Sequence, residues 1–176
     1  MSVKTRSQKY DEKKSKSRIF NVSMATVSIH NDNNTGFAIR TVACFGMKNL
    51  YVIGAKPDRA IHNGLSGSTF DHVNIVHFEN NNQFLTYCSD NNIQIISAEL
   101  SDDSINLYDF SFDVSDDAPE IVIVIGNESF GVPAEIMLKS KPVFIPMNGC
   151  GVCLNTVVAG TAIVNEYFRQ LHTKQP

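Results

Sequence analysis

The segment Ile121-Val122-Ile123-Val124-Ile125-Gly126-Asn127-Glu128-Ser129-Phe130-Gly131-Val132-Pro133 dictates an α/β architecture. Five consecutive β-branched residues need cover on both faces, so they form a strand in the middle of a mostly parallel sheet. The glycine-bearing segment after them then lies beyond the carboxyl end of a central strand, where open α/β sheets bind ligands. Outward from this point, apolar runs at Met24 to Ile29, Leu50 to Ile53, Val73 to Val76, Ile93 to Ile96 and Val143 to Ile145 read as further strands. Segments of helical period separate them. One helix, capped by Asn33 or Asn34, runs through Phe45 to a stop at Gly46; Ala38, Ile39, Val42 and Phe45 form its core stripe, with Arg40 outside it. Others are expected near Gln83 to Cys88, near Ala134 to Leu138 and from about Asn155 to Leu171. The last is apolar around much of its girth and calls for cover from a second subunit.

With 176 residues, 43% apolar and 19% charged, the chain has the size and balance of one globular domain. No apolar run reaches the roughly 18 residues of a membrane helix, and the first 20 residues lack a signal peptide's apolar stretch. A soluble, cytoplasmic protein without a membrane partner is expected. Cys44, Cys88, Cys150 and Cys153 accordingly read as reduced thiols. Charge is uneven: residues 1–18 hold seven lysines and arginines against two carboxylates, leaving +5 there and −8 in the remainder of a chain whose net charge is −3. Residues 1–20 are therefore read as a basic, flexible arm and 21–176 as the folded domain. The arm is either a solubilising terminus or a source of salt-dependent phosphate binding. The run Asn80-Asn81-Asn82 reads as loop composition.

Three clusters can carry chemistry. Asn34-Thr35-Gly36-Phe37-Ala38-Ile39-Arg40 opens a helix, where free N–H groups and an arginine suit a phosphate; an ordinary capped helix with a solvated arginine has the same pattern. Gly126 to Pro133 occupies a ligand's address, yet it is neither a Walker A loop nor a G-x-G-x-x-G fingerprint. Ile145-Pro146-Met147-Asn148-Gly149-Cys150-Gly151-Val152-Cys153-Leu154-Asn155 is a loop between a strand end and a helix start, with backbone groups free to face a ligand. Its Cys150-x-x-Cys153 admits thiol redox chemistry. A metal site is not expected, because no second Cys or His pair has suitable spacing.

Taken in order, Asn34-x-Gly36-x-x-x-Arg40, Gly126-Asn127-Glu128-x-x-Gly131 and Ile145-Pro146-Met147 through Leu154-Asn155 resemble the three motifs of the SpoU (TrmH-like) branch of the SPOUT superfamily, RNA ribose 2'-O-methyltransferases. The resemblance spans about residues 22–171. It implies a C-terminal deep trefoil knot, S-adenosylmethionine as cofactor, tRNA or rRNA as substrate and a homodimer. It also implies cofactor contacts from Gly126, Ile145, Met147 and Leu154, with segment Ser97 to Glu99 a looser addition. Arg40 matches the family's catalytic arginine. A guanidinium holds its proton too firmly to serve as a general base, so the expected role is to hold the target phosphate and stabilise developing charge on the ribose oxygen. Asn34 would orient Arg40, Glu128 would anchor substrate or a neighbouring loop, and Asn155 would complete the site. One departure stands out: the family commonly has Ser-Leu-Asn where this chain has Cys153-Leu154-Asn155. A non-catalytic RNA-binding protein on the same scaffold, and a thiol oxidoreductase using Cys150 and Cys153, are the alternatives.

Overall fold

β6 (Ile121–Ile125) is fully buried and sits fourth in a seven-stranded sheet, as its composition requires. The structure, a computed structural model, describes residues 5–14 and 16–174. The other strands are β1 (Val22–Val27), β2 (Leu50–Ile53), β3 (Ile75–Phe78), β4 (Gln94–Ala98), β5 (Ile105–Asn106) and β7 (Lys141–Phe144), in the order β3-β2-β1-β6-β4-β7-β5. Every strand pair is parallel. All carboxyl ends therefore lie along one edge of the sheet.

Alternation along each strand divides the core in two. Ile121, Ile123 and Ile125 join Met24 and Leu50 under α2 (Asp32–Phe45) and α6 (Thr156–Lys174). Val122 and Val124 join Ala25 and Tyr51 under α4 (Asn81–Asp90) and α5 (Ala134–Met137). Register follows from this pattern, since slipping β6 by one residue would exchange the two faces.

Several boundaries differ from expectation. The cap of α2 is Asn31, whose side chain accepts the Asn33 N–H, and Asn34 lies inside the first turn with its amide free to reach elsewhere. The α2 stop is as expected, with Gly46 in the left-handed region at φ 66°. The strand expected from Val73 starts at Ile75 instead, because Val73 ends a 3-10 turn at Phe70–His72. That turn, β5 and α3 (Arg59–Leu65) were not expected: all three are too short to show a period. The asparagine run opens α4, with Asn80 accepting the Gln83 N–H at 3.0 Å. Within the basic arm, Arg6–Lys14 form helix α1.

Helix α6 packs on β6 and β4. Its apolar girth is mostly covered by its own chain: Phe20 meets Phe168 edge-on at 4.9 Å between centroids, and Phe112 meets Tyr167 at 5.6 Å. Gln170 fastens the segment after β5, donating to the Phe110 carbonyl at 2.8 Å and accepting the Phe112 N–H at 2.9 Å. Val158 remains 54% exposed near the start of α6. α6 returns over β6 and β4 after the chain has passed out to β7, an arrangement in keeping with the knotted C-terminal fold that the resemblance implies.

Candidate active site

The parallel sheet brings the carboxyl ends of β4, β6 and β7 together with the start of α6 around a cavity of about 440 Å³, a size typical of small-molecule sites. Gly126 and Glu128, from the second sequence cluster, line it. So do Ile145, Met147, Cys153, Leu154 and Asn155 from the third. Ala98, Glu99 and Leu100 close a further side, where the sequence offered only a loose match. Val152, Thr156, Ala159 and Ile163 also line the cavity and had no signal beyond their positions beside Cys153 and in the last helix.

Gly126 is required by the turn itself. A Cβ there would stand 2.1 Å from the carbonyl carbon of Gly131, because Asn127 and Gly131 exchange N–H···O bonds of 3.0 Å and fold the segment back. Asn127 sets the turn's shape, with Oδ1 accepting the Ser129 N–H at 2.8 Å and Nδ2 donating to the Ser28 carbonyl at 2.7 Å. The second motif names Asn127 without a role, and an asparagine directly after a strand and a glycine is a turn signal. Glu99 braces the far side, its Oε2 accepting the Val132 N–H at 2.8 Å. Thr156 Oγ1 donates to the Gly126 carbonyl at 2.9 Å, tying α6 to the same turn.

Three of the four expected catalytic residues meet. Asn34 Nδ2 donates to Glu128 Oε1 at 2.8 Å, and Asn155 Nδ2 donates to Asn34 Oδ1 at 2.9 Å. Glu128 also accepts the backbone N–H groups of His30 and Asn31 at 3.2 Å each. Partial burial alone would raise its pKa; the hydrogen bonds from Asn34 and from backbone N–H groups outweigh that and hold it below the usual carboxylate range. Asn34 itself is buried and does not line the cavity.

Arg40 stands apart. Six residues beyond Asn34 on α2, it lies about 9 Å further along the helix axis and on another face. It is exposed, with no hydrogen bond or ion pair among the described residues, and does not line the cavity of its own chain. Within the chain, Asn34 bonds Glu128 and Asn155, and no bond joins it to Arg40. Gly36 between them has a packing reason, since a Cβ there would lie 2.5 Å from Leu65 Cβ of α3. On the face of α2 that bears Arg40, Phe37 is 49% exposed.

The cavity suits a small molecule with apolar parts and a cationic group: its walls include Ala98, Leu100, Ile145, Met147 and Leu154, and two carboxylates, Glu99 and Glu128, also line it. Among the described residues no group of three or more His, Cys, Asp or Glu could hold a metal ion, and no helix is long and apolar enough to cross a membrane. A parallel α/β sheet with a ligand cavity at its carboxyl edge, roofed by the start of the last helix, defines the class.

Residues 20–165 match the SpoU rRNA Methylase family, and the chain belongs to it. It is 32% identical over 149 residues to the tRNA (guanosine(18)-2'-O)-methyltransferase of Aquifex aeolicus (strain VF5), covering 84% of this chain and 68% of that one. The crystal structure of the A. aeolicus TrmH/SpoU tRNA modifying enzyme superposes with a TM-score of 0.78 at 27% identity, over 94% of this chain and 85% of that one. The SpoU methyltransferase AviRb from Streptomyces viridochromogenes, in complex with the cofactor AdoMet, has the same fold, with a TM-score of 0.74 at 22% identity over 89% of this chain and 63% of that one. Family membership favours methyl transfer over the non-catalytic and thiol-redox readings.

Proposed function

We propose that this protein is a cytoplasmic methyltransferase that uses S-adenosylmethionine to methylate a ribose 2'-hydroxyl of tRNA or rRNA. The observation that carries this reading is the convergence of the second and third motifs on one cavity, with Asn34 of the first motif bonded to two residues that line it. S-adenosylmethionine supplies an electrophilic methyl group on a positively charged sulfur. Gly126, Ile145, Met147 and Leu154, which line the cavity, would hold it. Glu99 and Glu128, which also line the cavity, would attract its positive charge.

Glu128, Asn34 and Asn155 act as a frame that fixes the turn after β6 against the starts of α2 and α6. Positioning is most of the task, because the leaving thioether is neutral and the nucleophile is a weakly acidic hydroxyl. Arg40 binds the phosphate beside the target ribose and offsets negative charge growing on the 2'-oxygen. Since Arg40 lies outside its own chain's cavity, it serves the cavity of a second copy in a homodimer. Exposed Phe37 on α2 and Val158 on α6 favour that pairing, and Thr41 and Thr161, 3.2 Å apart, join the two helices beside them. The arm with Lys9, Lys13, Lys16 and Arg18 adds sequence-blind attraction to the RNA backbone.

Incubation with labelled donor and RNA from cells lacking the protein tests the reading. Ribose 2'-O-methylation is expected. Arg40→Ala should lower turnover about 100- to 1000-fold with donor affinity unchanged; equal loss of both would make Arg40 structural. No methylation of any tRNA or rRNA would overturn the assignment.

A further inference from the structure

Phe130 is 86% exposed, although the backbone beneath it is firmly held. Asn127 Oδ1 accepts the N–H groups of both Ser129 and Phe130, at 2.8 and 3.2 Å. Gly131 closes the turn at φ 68°, and Glu99 grips Val132 just beyond it. One exposed apolar ring is ordinary, but one set on an ordered turn beside a ligand cavity and joined by further apolar surface marks a contact site. Glu128, Ser129 and Gly131, its neighbours on both sides, line the cavity. Val152, from the loop before α6, lines the same cavity and is 91% exposed. Apolar surface from Phe130 and Val152 thus stands beside the cavity, with the turn under Phe130 held by polar groups.

We propose that Phe130 stacks on an unpaired nucleobase at the target nucleotide, as a substrate-positioning residue; this rests on the methyltransferase reading. A ribose cannot bring its 2'-oxygen to the cavity without its base, and proteins that bind single-stranded RNA take up splayed bases on aromatic faces. The ring offers no hydrogen bond, so it grips any base and leaves sequence choice to other groups. A second copy of this chain is the rival occupant. Continuity with Glu128 and the cavity, where the RNA must enter, favours the base.

Wild type, Phe130→Ala and Phe130→Trp are compared on total tRNA and rRNA from cells lacking the protein. The readouts are kcat and KM for methyl transfer, donor Kd by calorimetry, Tm, and mass by light scattering. Phe130→Ala should raise KM for RNA about 10- to 100-fold with donor Kd, Tm and mass unchanged, and Phe130→Trp should keep the wild-type KM. An unchanged KM in Phe130→Ala, with the wild type active, overturns stacking and leaves methyl transfer standing. Dissociation of a wild-type dimer by Phe130→Ala assigns the ring to a second copy and overturns it as well. A wild type that methylates none of this RNA removes the methyl-transfer reading and this inference together.

Discussion

Asn155 and Asn34 are 121 residues apart in the chain, yet Asn155 Nδ2 donates to Asn34 Oδ1 at 2.9 Å. Glu128 fixes the direction of this contact. A carboxylate only accepts, so Asn34 must turn its Nδ2 toward Glu128 and its Oδ1 toward Asn155. Asn155 in turn presents its own Oδ1 to the N–H groups of Val157 and Val158 at the start of α6. One ionised carboxylate thereby orients two amides and joins three chain segments.

Asn34→Asp would set a carboxylate against Glu128 and remove the donor. Methyl transfer should fall about 100-fold or more, through misplacement of the cavity's parts. Exchanging the polarity by adding Glu128→Gln lets the new amide donate to the new carboxylate, so the double variant should recover part of the lost rate. Two additive losses in steady-state assays would show that the contact does not organise the site.

Gly126→Ala places a methyl group against the backbone of Gly131, where no flexible side chain can yield. The turn must open, and the cavity wall moves with it. Donor Kd by calorimetry should rise about tenfold or more. Tm should change less than in a core variant, because the segment lies at the sheet edge.

At the opposite end of the strands, Glu120 accepts hydrogen bonds from Tyr51 at 2.7 Å, Lys48 at 2.7 Å and Ser23. Burial and the Glu120 carboxylate push the Tyr51 phenol well above its usual pKa. Tyr51→Phe leaves that carboxylate short of a donor and should cost about 1.5–3 kcal/mol in urea unfolding. Turnover per folded molecule should not change, since the network lies away from the cavity edge.

The same carboxylate sets an acid limb. Burial would raise the Glu120 pKa, but Lys48, Ser23 and Tyr51 overcome it and hold it below the ordinary value. A depressed folded pKa contributes stability above the unfolded value, about 4.3, and loses it as pH falls through the folded one. With Glu128 shifted the same way, Tm should stay level on this account from pH 8 to 5 and drop below about pH 4.3. Glu120→Gln should flatten the drop; a thermal melt series across pH checks it.

Cys153 is exposed and lines the cavity, whereas Cys88 is buried, and burial pushes the Cys88 thiol up to about 12. Alkylation by iodoacetamide should therefore spare Cys88, modify Cys153 and block donor binding, and bound donor should slow the loss. Cys153→Ser should remove the sensitivity and keep turnover at or above the wild-type rate. Continued inactivation of Cys153→Ser would assign the effect to Cys44 or Cys150.

Much of this was legible in the linear chain. The run Ile121 to Ile125 has the composition of a doubly covered strand, Gly46 marks a helix end, and the three motifs lie at strand and helix boundaries. Asn34 was legible as a polar residue at a helix start but not as part of the frame, because its partners come from 94 and 121 residues away. The covering of α6 was hidden for the same reason: Leu107 to Phe112 has no period, and its use is visible only once Gln170 has caught it.

Amino-acid order alone set the α/β class, the parallel arrangement and the addresses at which a ligand can sit, because side-chain period and backbone permissiveness act over a few residues. The tertiary structure decided which of those addresses share a cavity. It drew Asn34, Glu128 and Asn155 into contact and left Arg40 on an outward face of the same helix. Contact between distant segments depends on how the strands are ordered and how the helices return across them, and no local pattern encodes that order.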